Sequence, residues 1–333
     1  MGRRVSRIRL SVLERHPGQA SPALIWLPLG AVYVIWGSTY LAIREAVLTL
    51  PPLLMAAVRF LVAGGALYAW AIRRGDREGD RPGWPQWRAA SIVGILLLLV
   101  GNGGVVLAER SVPTGIAALV IATIPLWMAM IDRVFFRQRL APQAVVGLVL
   151  GFSGLGLLVG GTGSGKLDAA GMVILLCAAV GWSIGSMYSR NAPLTSRPLV
   201  ATAMEMLAGG SALVVAGAIH GEFAHIHPER FSTASLLGLA YLIVFGSLVA
   251  FSAYVWLLRV ASISLLSTYA YVNPVVAVFL GWIFLNERIT PRTLLAGAVI
   301  LVAVALMISA RKIPLGEPAD AAPGAPPDRR DSS

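Results

Sequence analysis

Residues 36–44 read WGSTYLAIR, and residues 182–190 read WSIGSMYSR. The two stretches align without a gap, so that a tryptophan opens each one and an arginine closes it. At the same spacing, RFLVAGGAL from Arg59 aligns with EMLAGGSAL from Glu205. The sequence therefore predicts an internal repeat in which the second half of the chain resembles the first.

The composition of the chain points to a membrane. Of its 333 residues, 57% are hydrophobic and 13% are charged, whereas about 25% of the residues of an ordinary soluble domain are charged. This composition excludes a water-soluble globule. The only cysteine, Cys177, lies in an apolar run, which excludes an intramolecular disulfide and a cysteine-based metal site. We expect no metal ion and no cofactor.

Apolar runs of about 20 residues can cross a hydrocarbon core of roughly 30 Å as helices. The sequence has ten such runs: 22–43, 51–72, 89–108, 114–132, 143–160, 169–189, 198–219, 233–257, 262–285 and 291–310. Each half of the chain holds five of them, and because five is odd the second half must be inverted relative to the first. The predicted fold is an all-α membrane protein of ten transmembrane helices, arranged as two inverted five-helix repeats around a central cavity.

The same pattern predicts the domain boundaries. A basic head, residues 1–21, precedes a first repeat over 22–160 and a second repeat over 168–310. The head has no apolar core, so we expect no cleavable signal peptide. The tail, residues 311–333, is rich in proline and is predicted to be disordered.

The distribution of basic residues predicts the orientation. Most of the lysines and arginines fall on the side that carries both termini, and such residues accumulate on the cytoplasmic side of a membrane. We therefore expect both termini in the cytoplasm. This distribution also explains the net charge of +11 without a nucleic-acid partner.

Inverted repeats are typical of transporters, in which the substrate binds between the repeats near the middle of the bilayer. A channel-like pore is one alternative, and a less favoured one is a membrane-embedded enzyme, although the spans contain no histidine and no nucleophile–base pair. The expected partners are a small-molecule substrate and the lipid bilayer. Glycines at 147, 151, 156 and 160 allow close helix packing, either within a monomer or in a homodimer.

Arg59 and Glu205 are the charged residues well inside the predicted spans. A charge at the centre of a membrane helix costs about 2.5–3.5 kcal/mol on insertion scales, so it usually faces a cavity or a partner. One hypothesis is a pair that binds a zwitterionic substrate, with Glu205 as the candidate for proton coupling. The alternatives are a structural ion pair and an Arg59 side chain that extends toward the membrane surface.

Aromatic and polar side chains supply the other candidates for substrate binding. Trp36, Tyr40 and Trp182 could stack on an apolar or cationic substrate, or they could simply pack between helices. Tyr269 and Asn273 lie on one helical face, and Asn102 lies in a glycine-rich run.

Two prolines lie near the middle of the fourth and ninth spans. At a slightly longer spacing than the first alignment, Pro125 aligns with Pro274. Each proline removes a backbone hydrogen bond from its helix, so each is a candidate hinge or a source of free carbonyl groups for a ligand.

Several segments also resemble a known family, the drug/metabolite transporter superfamily. The similarity is to its ten-span EamA-type members, most closely the YedA-like branch of bacterial inner-membrane exporters. It is carried by IWGSTYLAIR (35–44), PPLLMAAVRFLVAG (51–64), GNGGVVLAE (101–109), VPTGIAALVIATIPL (112–126), EMLAGG (205–210) and STYAYVNPVVAVFLG (267–281). The resemblance implies two five-helix bundles around a central cavity, a location in the bacterial inner membrane, and export of amino acids or other small metabolites, including drugs.

Overall fold

The computed structural model describes residues 22–73, 82–135, 137, 141–159, 168–189, 192–260 and 268–310. These residues form ten helical spans: α1 Pro22–Ala46, α2 Pro52–Arg73, α3 Trp84–Ala108, α4 Thr114–Phe135, α5 Pro142–Val159, α6 Ala169–Ser189, α7 Pro198–Ile219, α8 Thr233–Tyr241 continued by Leu242–Val249 and Ala250–Val260, α9 Tyr269–Leu285 and α10 Pro291–Ala310. No strand occurs in these ranges.

The predicted number of helices is confirmed. Eight of the described helices are long and apolar enough to cross a membrane, and two shorter apolar helices, Pro142–Leu158 and Tyr269–Leu285, complete the set. The predicted start of the ninth span at residue 262 lies outside the described residues. So do the predicted basic head and the predicted disordered tail.

The second helices of the two repeats, α2 and α7, pack side by side and antiparallel. Near one end, a side-chain carbon added at Gly217 would lie 2.9 Å from Leu54 Cδ2. At the other end, the guanidinium of Arg197 donates to the carbonyl of Ala71. Because these helices are equivalent in the repeat, their antiparallel contact confirms that one repeat is inverted relative to the other.

The remaining helix contacts follow the same two-fold rule. α1 packs on α9, and its equivalent α6 packs on α4; α3 packs on α6 and α7, and its equivalent α8 packs on α1 and α2. α5 packs on its own equivalent, α10. Every one of these contacts joins one repeat to the other, so the core lies at the boundary between the repeats.

The glycine face of α5 packs within this bundle. A side-chain carbon at Gly147 would lie 2.9 Å from the carbonyl oxygen of Ala303, and one at Gly154 would lie 3.0 Å from Ile300 Cγ1. Gly151 lies in direct contact with Leu126 of α4. Of the predicted glycines, Gly147 and Gly151 therefore serve helix packing inside one chain, as does Gly154. A side-chain carbon at Gly156 would meet nothing within 4 Å, and Gly160 lies outside the described residues.

The third helix of each repeat changes to π-helical geometry near its centre. The eight residues Ile95–Asn102 of α3 and the eight residues Leu242–Val249 of α8 both adopt it. π-Helical turns are rare and are frequent at functional sites. We call these two stretches the α3 π segment and the α8 π segment.

Candidate functional site

Trp36 of α1 contacts the α8 π segment. Its indole nitrogen donates to the carbonyl of Gly246 at 3.2 Å. Three aromatic rings surround the indole, with ring centroids 5.3 Å away at Phe251, 5.1 Å away at Tyr254 and 5.3 Å away at Tyr269. Edge-to-face and tilted pairs at such distances are favourable. The four aromatic residues form an aromatic cluster shared by α1, α8 and α9.

Arg59 of α2 reaches the same π segment. Its side chain is only 4% exposed, its Nε donates to the hydroxyl of Ser247 at 2.9 Å, and its guanidinium carbon lies 4.7 Å from the ring centroid of Phe60. A side-chain carbon at Gly246 would lie 3.3 Å from Arg59 Nη2. Gly246 therefore lies between Arg59 and Trp36, and the α8 π segment brings a buried cation next to the aromatic cluster.

Glu205 of α7 takes a different position. It is partly exposed, and its backbone carbonyl packs closely against Gly94, just before the α3 π segment. Within the described structure Arg59 pairs with Ser247, and no ion pair joins it to Glu205. The structural ion pair considered for these two residues is therefore not formed in this conformation.

Trp182 of α6 is the repeat equivalent of Trp36, and it lies on the other π segment. A side-chain carbon at Gly101 would lie 2.8 Å from Trp182 Cε3, and Asn102 follows Gly101 at the end of the same segment. Each tryptophan therefore crosses from its own repeat to the π segment of the other repeat.

The aromatic cluster itself is not repeated. Phe251, Tyr254 and Tyr269 pair with Trp36, whereas none of the aromatic ring pairs among the described residues includes Trp182. The helix contacts are therefore two-fold symmetric, but the aromatic rings of the described structure gather at one tryptophan and not at the other.

Asn273 extends the cluster along α9. With its amide nitrogen directed at two carbonyl groups, it donates to Tyr269 and to Tyr33 of α1, both at 3.2 Å. The hydroxyls of Tyr33 and Thr268 also share a hydrogen bond. Asn273 thus joins α9 to α1 one residue before Pro274, which leaves the carbonyl of Ala270 without its usual backbone donor.

The two prolines affect their helices differently. α4 is interrupted at Ala122 and Thr123, just before Pro125, and the hydroxyl of Ser183 donates to the carbonyl of Ile124 at 3.2 Å. Pro274, in contrast, lies inside the helix Tyr269–Leu285.

Charged groups join the helices at the end of the bundle opposite residues 22 and 310, which we call the distal end. Glu287 accepts from the backbone nitrogens of Thr114 at 2.6 Å and Gly115 at 3.1 Å, at the start of α4. Glu222 accepts from the backbone nitrogens of Leu53 at 3.1 Å and Leu54 at 2.9 Å, at the start of α2. Both carboxylates lie in connections between helices of the second repeat, and both cap helices of the first repeat.

Asp168 caps the start of α6 in the same region. Its carboxylate accepts from the hydroxyl of Ser111 at 2.6 Å and from the backbone nitrogen of Gly171 at 3.0 Å. These bonds, the hydroxyl above all, hold the pKa of Asp168 below its usual value, because they favour the charged form.

Two segments of the chain, residues 22–160 and 169–309, each match the EamA-like transporter family. The chain belongs to this family. The uncharacterized inner membrane transporter YedA of Escherichia coli K12 is 41% identical over 84% of this chain and 89% of its own length. A chloroplastic WAT1-related protein of Arabidopsis thaliana is 28% identical over 85% of this chain and 69% of its own. One solved crystal structure covers 88% of this chain and all of its own, with a TM-score of 0.60 at 21% identity, which supports the fold alone.

Membership of the EamA-like family confirms the predicted resemblance to the drug/metabolite transporter superfamily. This EamA-like protein is a transporter with multiple membrane helices, and its bacterial relative is named as an inner membrane protein. Among the residues predicted to bind substrate, the structure brings Trp36, Arg59 and Tyr269 together at one π segment, with Asn273 beside Tyr269. It places Trp182 and Asn102 at the other π segment, and the backbone of Glu205 packs against Gly94 just before that segment. Tyr40 lies within electrostatic range of Tyr269 and of Glu109.

Sequence reasoning missed the carboxylates of the distal end. The sequence places Glu287 next to Arg288, which predicts only a local ion pair, whereas the structure shows that Glu287 caps α4, about 170 residues away in the chain. Glu109 ends the segment GNGGVVLAE (101–109) and was not among the predicted site residues, yet its side chain is fully buried. The signal available was the presence of acidic residues in connections that are otherwise apolar or basic.

Proposed function

We propose that this EamA-like protein is a secondary transporter that exports small amphipathic metabolites, such as amino acids, across the bacterial inner membrane. In this proposal residues 22–160 and 168–310 act as the two repeats, and residues 1–21 and 311–333 lie in the cytoplasm. The substrate binds between the repeats, and the protein alternates between conformations open to either side.

The observation that carries this proposal is the meeting of a buried cation and an aromatic cluster at the α8 π segment. The guanidinium of Arg59 suits a carboxylate, with which it can form two parallel hydrogen bonds. The rings around Trp36 suit an apolar side chain or an ammonium group. A small molecule that carries a carboxylate next to an apolar group fits both.

The two-fold frame supports alternating access. When two equivalent repeats adopt different conformations, an exchange of those conformations opens the opposite side. Glu222 and Glu287 each join the two repeats at the distal end by capping helices of the first repeat, and in this proposal the described conformation is the one closed at that end. Pro125 and Pro274 are the proposed hinges, since α4 is already interrupted before Pro125.

A facilitative pore is the second candidate function, because a pore can also be built from inverted repeats. A pore conducts without exchanging one substrate molecule for another, whereas a carrier with a single alternating site exchanges them. A membrane-embedded enzyme is less favoured, since the described residues hold no group of three or more histidine, cysteine, aspartate or glutamate side chains that could bind a metal.

The test is counterflow in proteoliposomes that contain the purified protein and a pool of labelled amino acids. A carrier takes up label against an unlabelled internal pool, and Trp36→Ala removes this uptake. Trp282→Ala serves as the matched control, since Trp282 of α9 is 54% exposed and remote from the cluster. Uptake that is unchanged by Trp36→Ala would place the substrate elsewhere, and label that enters without an internal pool would favour a pore.

Glu205 needs its own test because it has two possible roles, either pairing with the substrate ammonium or carrying a proton. If it pairs with the ammonium, Glu205→Gln weakens counterflow itself. If it carries the coupling proton, the variant keeps counterflow and loses only accumulation driven by a proton gradient. If Glu205→Gln leaves both unchanged, the residue is structural.

A further inference from the structure

Glu109 is a buried acidic residue that has no role in the proposed function as described above. It follows the last residue of α3, at the distal end, and its side chain is completely buried. Neither carboxylate oxygen has a hydrogen-bond partner among the described residues. The hydroxyl of Thr114, at the start of α4, is also buried and unpartnered.

The groups that face Glu109 do not neutralise it fully. Arg44 of α1 is the cation, but its guanidinium donates to the backbone carbonyl of Glu109. Glu287, from the α9–α10 connection, adds a second negative charge, and Tyr40 of α1 also interacts with Glu109 electrostatically. The next residue, Arg110, is exposed. Two carboxylates and one guanidinium leave an excess negative charge around a Glu109 side chain that is itself completely buried.

An ionised carboxylate without hydrogen bonds is costly to bury, and such a group usually takes up a proton instead. Burial, together with the nearby Glu287, raises the pKa of Glu109 well above its usual value, and Arg44 opposes the rise only in part. Because Glu109 is completely buried in the described conformation, its carboxylate reaches solvent only if the distal end opens.

We propose that Glu109 is a proton-binding site of the distal end, occupied when that end is closed and emptied when it opens. This inference rests on the proposed function, because proton release then accompanies each opening and links proton movement to transport. The sign follows from the site: low pH favours the closed distal end, and as pH rises, loss of the proton favours opening.

Infrared difference spectroscopy of the purified full-length protein tests the proton directly and needs no substrate. We expect the wild type near neutral pH to show the carbonyl stretch of a protonated carboxyl group, and Glu109→Gln to lose it. Glu222→Gln is the matched control and keeps that band, because Glu222 is also buried but accepts two backbone hydrogen bonds. Identical spectra of wild type and Glu109→Gln would overturn the proposal, even if no amino acid proves to be transported.

Thermal unfolding of Glu109→Gln gives a second readout. Glutamine resembles the protonated acid, so this variant should be as stable as the wild type near neutral pH. A large loss of stability or a failure to fold would show that Glu109 is ionised and paired with Arg44, which would also overturn the proposal.

Accumulation in proteoliposomes then tests the link to transport. With an imposed pH gradient, Glu109→Gln keeps counterflow but loses accumulation, and Glu109→Asp, which can still bind a proton, retains part of it. Three results would overturn the link: accumulation that survives in Glu109→Gln, accumulation driven by a sodium gradient instead, or accumulation lost only in Glu205→Gln. Absence of counterflow in the wild type would instead count against the proposed substrates and leave the infrared result standing.

Discussion

Gly64 of α2 and Gly210 of α7 are equivalent in the two repeats and make the same contact across the boundary between them. A side-chain carbon at Gly64 would lie 3.2 Å from the backbone nitrogen of Leu207, and one at Gly210 would lie 3.2 Å from the backbone nitrogen of Leu61. The two backbones approach closely here because glycine has no side chain. This symmetric contact fixes the crossing of α2 and α7 at the centre of the protein.

Gly64→Ala should therefore destabilise the protein, since the new methyl group would lie 2.8 Å from Met206 Cβ. Overpacking of this kind costs typically about 1–3 kcal/mol. Gly65→Ala is the matched control, because nothing lies within 4 Å of its added carbon, and alanine favours a helix over glycine by roughly 0.8–1.0 kcal/mol. Thermal unfolding in detergent measures both, and equal melting temperatures for the two variants would contradict the proposed role of the crossing.

Glu287→Ala should also destabilise the protein, because it removes the carboxylate that caps α4. Loss of a cap at a helix start costs about 0.5–2 kcal/mol. Arg288→Ala, at the exposed neighbouring residue, should leave the melting temperature unchanged. If the two variants melt alike, the bonds to Thr114 and Gly115 do not stabilise the closed distal end.

The fold could be predicted from the sequence because its determinants are local or repeated. Apolar runs mark the helices, and the alignment of Trp36 with Trp182 together with an odd number of spans gives the inversion. The π segments were beyond sequence reasoning, since α3 and α8 read as ordinary apolar helices. Each segment packs on helices of the other repeat, and the sequence of a single helix does not record such contacts.

The candidate site could be predicted only in part, for a related reason. Composition identified Arg59 and Glu205 as costly intramembrane charges, but it could not tell which groups they contact. The partner of Arg59 is Ser247, about 190 residues away, and a serine in an apolar span carries no signal of that role. The same limit explains why Glu109 was missed.

The orientation of the protein is open to a direct test. Because lysine and arginine accumulate on the side of both termini, we expect green fluorescent protein fused to the C-terminus to fluoresce and alkaline phosphatase at the same point to be inactive. Alkaline phosphatase inserted in the α7–α8 connection, near the exposed His225, should be active. The opposite pattern would reverse the orientation, and the distal end would then face the cytoplasm.

Arg59 should set the substrate class of the transporter. If its guanidinium binds the carboxylate of a substrate, Arg59→Gln should raise the KM for amino acids by roughly tenfold to a hundredfold, which matches the loss of a charged hydrogen bond worth about 1.5–3 kcal/mol. Ser247→Ala, which removes only the group that positions Arg59 Nε, should have a smaller effect. Equal losses of transport for an amino acid and for the matching amine without a carboxylate would show that Arg59 is structural.

The difference between the two tryptophans gives the sharpest test of where the substrate binds. Trp36 and Trp182 contact equivalent π segments, but among the described residues three aromatic rings pair with Trp36 and none pairs with Trp182. If stacking on the aromatic cluster binds the substrate, Trp36→Ala should raise the KM far more than Trp182→Ala does. If the tryptophans serve only the symmetric contact between the repeats, the two variants should lower the maximal rate equally and leave the KM unchanged. Counterflow measured over a range of substrate concentrations separates these outcomes.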